Sequence, residues 1–446
     1  MTYSAPTGSR ARRLLRTVVA VAAVAATAVT VSACSGQGGG STKVDKKADV
    51  TLTWWTGQSD EAEKLLEKLA AEFHTLHPNV TLNVSSGASS TEELLQKLSA
   101  GFAAGKYPNI SYAFGSWASE LESSGKMQDI TAQVKDDPSI KWDEFSSAAR
   151  ETVRPTGKAT IGFPALVDNI SLIYNKTVFD KAGVAYPTDK WTWDDFRAAA
   201  KKLTDPSTQT FGYAYSVSGS EETTWQFWPH LWQNGGKILS KDNTKAAFAS
   251  DAGVKALTFL REMAVDDKSV YLDQTDTKFA QLFAADRIGM MTSGPWQLFD
   301  LNTAKTKYGV TILPGTDGDH QTVSGPDIWA LTDSGDANEN YWSFELLKWL
   351  TAAPQDLRWN VAFGNLPLRA SEIDTPEFKA QVKALPGLEV MAANSVNAKT
   401  ARPTVSGYNG LSEAIGSAIS KVLQGDGEPK QALKDAADKA NKALAG

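Results

Sequence analysis

Fourteen tryptophans stand against one cysteine and four histidines in this chain, and that imbalance narrows the chemistry its side chains can do. A single thiol has no disulfide partner within the chain. His74 and His77, three apart on a helix, have metal-ligand spacing, but an exposed helix end is the reading to prefer for them. No G-x-S-x-G elbow, H-E-x-x-H pair or phosphate-binding glycine loop occurs. What remains is a chemistry of flat rings beside carboxylates and amides. Rings cover apolar C–H faces and fixed acceptors read hydroxyls, a combination suited to a polyhydroxylated ligand. Trp296 follows Ser293-Gly294-Pro295 directly after an apolar run, and Trp117 sits beside Ser116 just past another. Trp225, Trp228 and Trp232 are spaced three and four, one face of a helix, so a core stripe is the plain alternative for that group. Asp168-Asn169 separates two apolar runs, where an Asx turn is the alternative to a ligand contact.

The elements that must position these residues alternate between strand and helix. Val50–Trp55 reads as a strand. A capping-box pattern, Asp60-x-x-Glu63, precedes a helix with a stripe at Leu65, Leu66, Leu69, Phe73 and Leu76. Val80–Val84 alternates as a strand, and Ser90-x-x-Glu93 caps a helix with face Leu94, Leu95, Leu98 and Phe102, stopped by Gly105. Asn109–Phe114 is the third strand. Such a βαβαβ run implies parallel strands with right-handed crossovers. Ligands then sit beyond the carboxyl ends of the strands, here at Thr56-Gly57-Gln58 and Gly115-Ser116-Trp117. Ile161–Phe163 is a short strand broken by Pro164, and Ile170–Tyr174 resumes. Trp191-Thr192-Trp193-Asp194 opens a helix with an apolar face at Phe196, Ala199, Ala200 and Leu203. Further strands are predicted at Ile288–Thr292, Tyr308–Pro314 and Ile328–Thr332, and helices at 341–350, 411–423 and 430–444.

At 446 residues the chain suits two lobes of ~150–200 residues each. Residues 1–33 hold four arginines and no acid, and without them the formal charge moves from −6 to −10. An acidic body is a poor partner for nucleic acid. Basic residues up to Arg16 followed by an apolar, small-residue run to Val31 read as an export signal too short to span a bilayer comfortably. The run ends in Val31-Ser32-Ala33-Cys34, which resembles a bacterial lipobox and implies lipidation of Cys34. Residues 34–49, rich in Gly, Ser and Lys, read as a flexible tether.

From Gly162 to Lys202 the order is small-apolar-Pro, acid-Asn at Asp168-Asn169, an apolar strand, Tyr174-Asn175-Lys176, then Thr192-Trp193-Asp194. This order resembles the lobe-to-lobe crossing of carbohydrate-binding proteins of ABC importers, the maltose-binding-protein branch. Ala104-x-x-Tyr107-Pro108-Asn109-Ile110, Met290–Trp296, Tyr308–Pro314 and Gln431–Ala437 extend the likeness over nearly the whole mature chain. The resemblance implies an α/β, two-lobe periplasmic-binding-protein-like fold, each lobe a mixed, mostly parallel sheet flanked by helices, with the ligand cleft between them. By it the lobes comprise 50–165 with 328–372 and 166–327 with 373–446, after a signal peptide at 1–33 and a tether at 34–49.

The resemblance also implies a lipid-anchored monomer on the outer face of the cytoplasmic membrane of a Gram-positive bacterium. It would capture a sugar, an oligosaccharide by its number of rings, by hinge closure and deliver it to the transmembrane subunits of an ABC permease. No catalytic residue, cofactor or metal is implied. Carried over residue by residue, the ligand contacts are Gln58, Ser116, Trp117, Asp168, Asn169, Trp225, Trp296, Asp327, Arg369, Tyr408 and Asn409. Asp327 and Arg369 have the alternative of fixing the hinge, and the last aromatic falls on Tyr408 or one residue later. A secreted glycoside hydrolase, which also uses aromatic platforms and paired carboxylates, and a glycan-binding surface protein are the rival readings.

Overall fold

The computed structural model describes residues 43–445 apart from 59, 89–90, 275–277 and 362–363. The export signal, Cys34, most of the tether and the cap expected at Ser90 lie outside the described residues. Two five-stranded sheets organise the chain. The first has the order β2 (Val80–Ser85), β1 (Val50–Trp55), β3 (Ile110–Ala113), β11 (Asp327–Leu331), β4 (Gly162–Leu166). Strand β1 runs parallel to both neighbours, whereas β11 enters antiparallel between β3 and β4. The second sheet has the order β7 (Val270–Asp273), β6 (Phe211–Ser216), β8 (Ile288–Ser293), β5 (Ser171–Asn175), β9 (Tyr308–Thr311). There β6 is parallel to its neighbours and β5 antiparallel to its own.

Burial along each strand follows its place. Strands β3, β8 and β11 are buried at every residue, as strands covered on both faces must be, while the edge strand β2 alternates toward solvent. The helix Trp193–Leu203 begins where Thr192 and Asp195 satisfy each other's backbone N–H groups, and it buries Phe196, Ala199, Ala200 and Leu203 as the spacing predicts. On Asp60–Leu76 the stripe holds through Phe73, but Leu76, at the helix end, is 59% exposed.

Most of the tryptophans are core. Trp54, Trp228, Trp329 and Trp359 are fully buried; Trp329 meets Trp54 edge-on at 5.4 Å and Trp359 at a tilt at 5.7 Å. The paired histidines are separately occupied: His74 Nδ1 lies 2.6 Å from the Val80 carbonyl, and the His77 ring packs on Phe73 and Trp342.

The chain passes between the sheets at Val167–Ile170, after β4. It returns through a short parallel ribbon, β10 (Val323–Ser324) with β12 (Thr400–Ala401), which leads into β11. Register then decides what meets at this junction. Asp327 opens β11 opposite Leu166 at the end of β4, so the residue just before the first crossing and the residue just after the return lie side by side although they are far apart in sequence.

Candidate functional site

A cavity of about 430 Å³ opens between the sheets at that junction. Gln58, Tyr112 and Phe114 line it from the first lobe, and Glu221, Trp225, Gln226, Thr292 and Trp296 from the second. Leu166, Asp168, Asp327, Asn365 and Arg402 line it at the crossings. Five of the residues expected from sequence are therefore brought together: Gln58, Asp168, Trp225, Trp296 and Asp327.

Trp296 is the first residue of the helix Trp296–Thr303, after β8 and Pro295. Its half-buried ring lies against the backbone of Gly294, where a β-carbon would fall 2.0 Å from the indole. Gly294 thus seats the ring. Gly325 does the same for Trp225, since a β-carbon there would meet Arg402 Nη2 at 2.1 Å and Trp225 Cη2 at 2.5 Å. Trp225 stands one turn into the helix Glu221–Gln233. The Arg402 guanidinium lies over its ring at 4.2 Å, a cation–π contact.

Asp168 and Asp327 are buried together. Asp168 accepts from the Gly325 N–H at 3.3 Å. Asp327 accepts from the Tyr112 hydroxyl at 2.6 Å and the Gly115 N–H at 3.3 Å, and its Oδ1 lies 3.7 Å from Arg402 Nη2. Burial raises the pKa of both carboxyls. The charge of Asp327 raises Asp168 further, while Arg402 pulls both down. For Arg402 burial works against the charge, but Glu221 and Asp327 outweigh it and raise its pKa. Arg402 Nη1 donates to Glu221 Oε1 at 2.7 Å. Glu221 occupies the first turn of its helix, where the dipole favours an anion.

The other expected residues do not line the cavity. Trp117 is buried in the first-lobe core, its ring 4.9 Å from Phe114, so it stands one ring behind the wall. Ser116 is buried beside it, its hydroxyl without a partner among the described residues. Asn169 is fully buried and straps the crossing, donating to the Met391 carbonyl at 2.8 Å and accepting from Asn394 at 3.2 Å. Arg369 lies over Phe145 at 4.1 Å, donates to the Thr351 and Ile140 carbonyls and pairs with Glu372 at 3.6 Å. Tyr408 is buried behind Glu221, to which its hydroxyl donates at 3.2 Å, and it accepts from Trp228. Asn409 reaches the other lobe instead, donating to Glu120 Oε2 at 2.9 Å.

Tyr112, Phe114, Glu221, Gln226, Thr292 and Arg402 line the cavity without standing among the residues expected from sequence. One signal existed for Glu221: it stands four residues before Trp225 on the same helix face. Arg402, between a short strand and Pro403, carries none. Among the described residues no cluster of three or more His, Cys, Asp or Glu is placed to hold a metal ion, and no helix is long and apolar enough to cross a membrane.

Two lobes joined by repeated crossings, with an aromatic and carboxylate cleft at the junction, define a two-lobe binding protein. Residues 68–386 match the family described as bacterial extracellular solute-binding protein, and the chain belongs to that family. It is 25% identical to a binding protein of Brucella abortus over 85% of this chain and 89% of that one. It is 24% identical to the sn-glycerol-3-phosphate-binding periplasmic protein of Escherichia coli, over 90% and 94%. Among solved structures it is similar to an ABC substrate-binding protein of Listeria monocytogenes in complex with cycloalternan, at 27% identity and a TM-score of 0.77, covering 89% of this chain and 99% of that one.

The raised carboxyls predict a pH dependence of stability. A carboxyl whose folded pKa lies above the unfolded value of ~3.9 contributes stability that is full below that value and is lost as pH rises through the folded pKa. Asp168→Asn removes a group that must ionise in a buried site. Its melting temperature relative to wild type is expected to be higher at pH 8 than at pH 5 by calorimetry. An equal or reversed difference would refute the buried, shifted Asp168.

Proposed function

We propose that this protein captures an oligosaccharide in the cleft between its lobes and delivers it to the transmembrane subunits of an ABC permease, without catalysing a reaction. The observation that carries the reading is the pairing, in one cavity, of the half-buried Trp296 ring with the buried carboxyl of Asp168. One covers an apolar sugar face and the other reads hydroxyls. The Listeria relative's complex with cycloalternan supports the same ligand class. In this reading Gln58, Asp168, Trp225, Trp296 and Asp327 contact the sugar. Asn169 and Arg369 hold the crossings, Trp117 and Tyr408 back the walls, and Asn409 with Glu120 joins the lobes. The first sheet draws its strands from 50–166 and 327–331 and the second from 171–311, which supports divisions near 165 and 327; the lobes we propose are 50–165 with 328–372 and 166–327 with 373–446. We further propose a lipid-anchored monomer at the outer face of a Gram-positive cytoplasmic membrane, held by Cys34.

Two measurements test this. Tryptophan fluorescence against a glycan panel is expected to give a saturable response, and Trp296→Ala to weaken the sugar found by about ten-fold. Ten-fold is about 1.4 kcal/mol, the upper end of the ~0.5–1.5 kcal/mol that aromatic stacking adds beyond buried area. No response, or an unchanged affinity in the variant, would place the ligand elsewhere. For the anchor, cells labelled with radioactive fatty acid should mark wild type and leave Cys34→Ala unlabelled. Equal label on both would refute lipidation.

A further inference from the structure

Among the described residues the cleft is lined by four carboxyl groups, those of Asp168, Glu221, Glu222 and Asp327, and by a single cationic side chain, Arg402. In a binding site a lone arginine ordinarily invites a phosphate or carboxylate. Here it is already committed. Its Nη1 donates to Glu221 at 2.7 Å, its Nη2 faces Asp327 at 3.7 Å, its plane rests on Trp225, and its side chain is 7% exposed. Glu221 is itself held on several sides. Ser412 Oγ donates to its Oε2 at 2.6 Å, Tyr408 to its Oε1 at 3.2 Å, and Thr224 to its Oε2 at 3.3 Å. An anionic ligand would have to pull Arg402 off this anchored partner, or bring a further negative charge into a cleft already rich in carboxyls. Both cost far more in a closed site than in water.

We propose that Glu221 is a specificity-determining residue: by neutralising Arg402 it confines the cleft to sugars that carry no phosphate or carboxylate. The inference rests on the sugar-binding reading above and narrows its ligand class. It separates this chain from the Escherichia coli relative named for sn-glycerol 3-phosphate. Glu221 acts through Arg402, so its role lies in which ligands are admitted rather than in the strength of any one contact.

Calorimetry on the exported chain tests it with matched probes. Neutral sugars such as maltose, cellobiose and trehalose are each titrated beside a charged counterpart that keeps both rings, maltose 6′-phosphate, cellobiuronate and trehalose 6-phosphate, with sn-glycerol 3-phosphate run alone. The panel is widened to further neutral glycans and their uronic or phosphorylated forms. The neutral member of any pair that binds should be at least about 100-fold tighter than its anionic partner. Glu221→Gln, checked for cooperative melting, should bind the anionic member at least about ten-fold better than wild type does. An anionic member bound as tightly as its neutral partner by wild type overturns the inference and leaves the sugar-binding reading standing. Discrimination that survives unchanged in Glu221→Gln overturns the role of Glu221. Binding of neither class overturns the sugar-binding reading, and the inference with it.

Discussion

Two carboxyl groups buried side by side, with one guanidinium between them and a third carboxylate, set the terms for the rest of this molecule. Asp168 and Asp327 meet because the chain crosses between lobes next to antiparallel neighbours, β4 and β11, whose register pairs Leu166 with Asp327. Taking both from water costs several kcal/mol per ion unless partners surround them. The partners are specific: the hydroxyl of Tyr112, the backbone N–H groups of Gly115 and Gly325, and Arg402. Arg402 in turn requires Glu221, and Glu221 requires Tyr408 and Ser412 behind it. Close packing of this set leaves no room for a side chain at 325. Ligand recognition and lobe connection therefore draw on the same buried groups.

The arrangement also explains how the aromatic residues are divided. Each tryptophan that lines the cleft has its ring held there by a neighbouring group. Trp296 is the first residue of its helix, directly after Pro295, and its ring lies on Gly294. Trp225 is propped from one side by Arg402. Trp228, on the same helix and three residues on, has no such prop and is wholly buried. Trp117 follows a strand end as Trp296 does, but its ring packs against Phe114, which takes the cleft-facing position in its place.

Local signals explain what was legible beforehand. Strands and helices with a clear period, such as Val50–Trp55 and the helix after Thr192, appear within two residues of their predicted limits, because propensity, capping and burial agree there. Asp168 and Trp296 could be singled out because the Asp-Asn pair and the Ser-Gly-Pro-Trp run fall at positions where the family resemblance implies ligand contacts. Arg402 and Glu221 could not be paired from sequence, since their contact spans 181 positions and depends on the β10–β12 ribbon. Tyr408 failed to reach the cleft for a related reason: a buried hydroxyl takes the nearest strong acceptor, and Glu221 supplies it.

The most direct test of the central claim, that the buried carboxyl junction is the ligand site, is a crystal structure of the protein with a bound neutral oligosaccharide. The account predicts a sugar ring stacked on Trp296 with a hydroxyl within hydrogen-bond distance of Asp168, and Arg402 still paired with Glu221. A sugar seated away from both residues, for instance in the groove of about 780 Å³ beside Trp232 and Lys237, would contradict it.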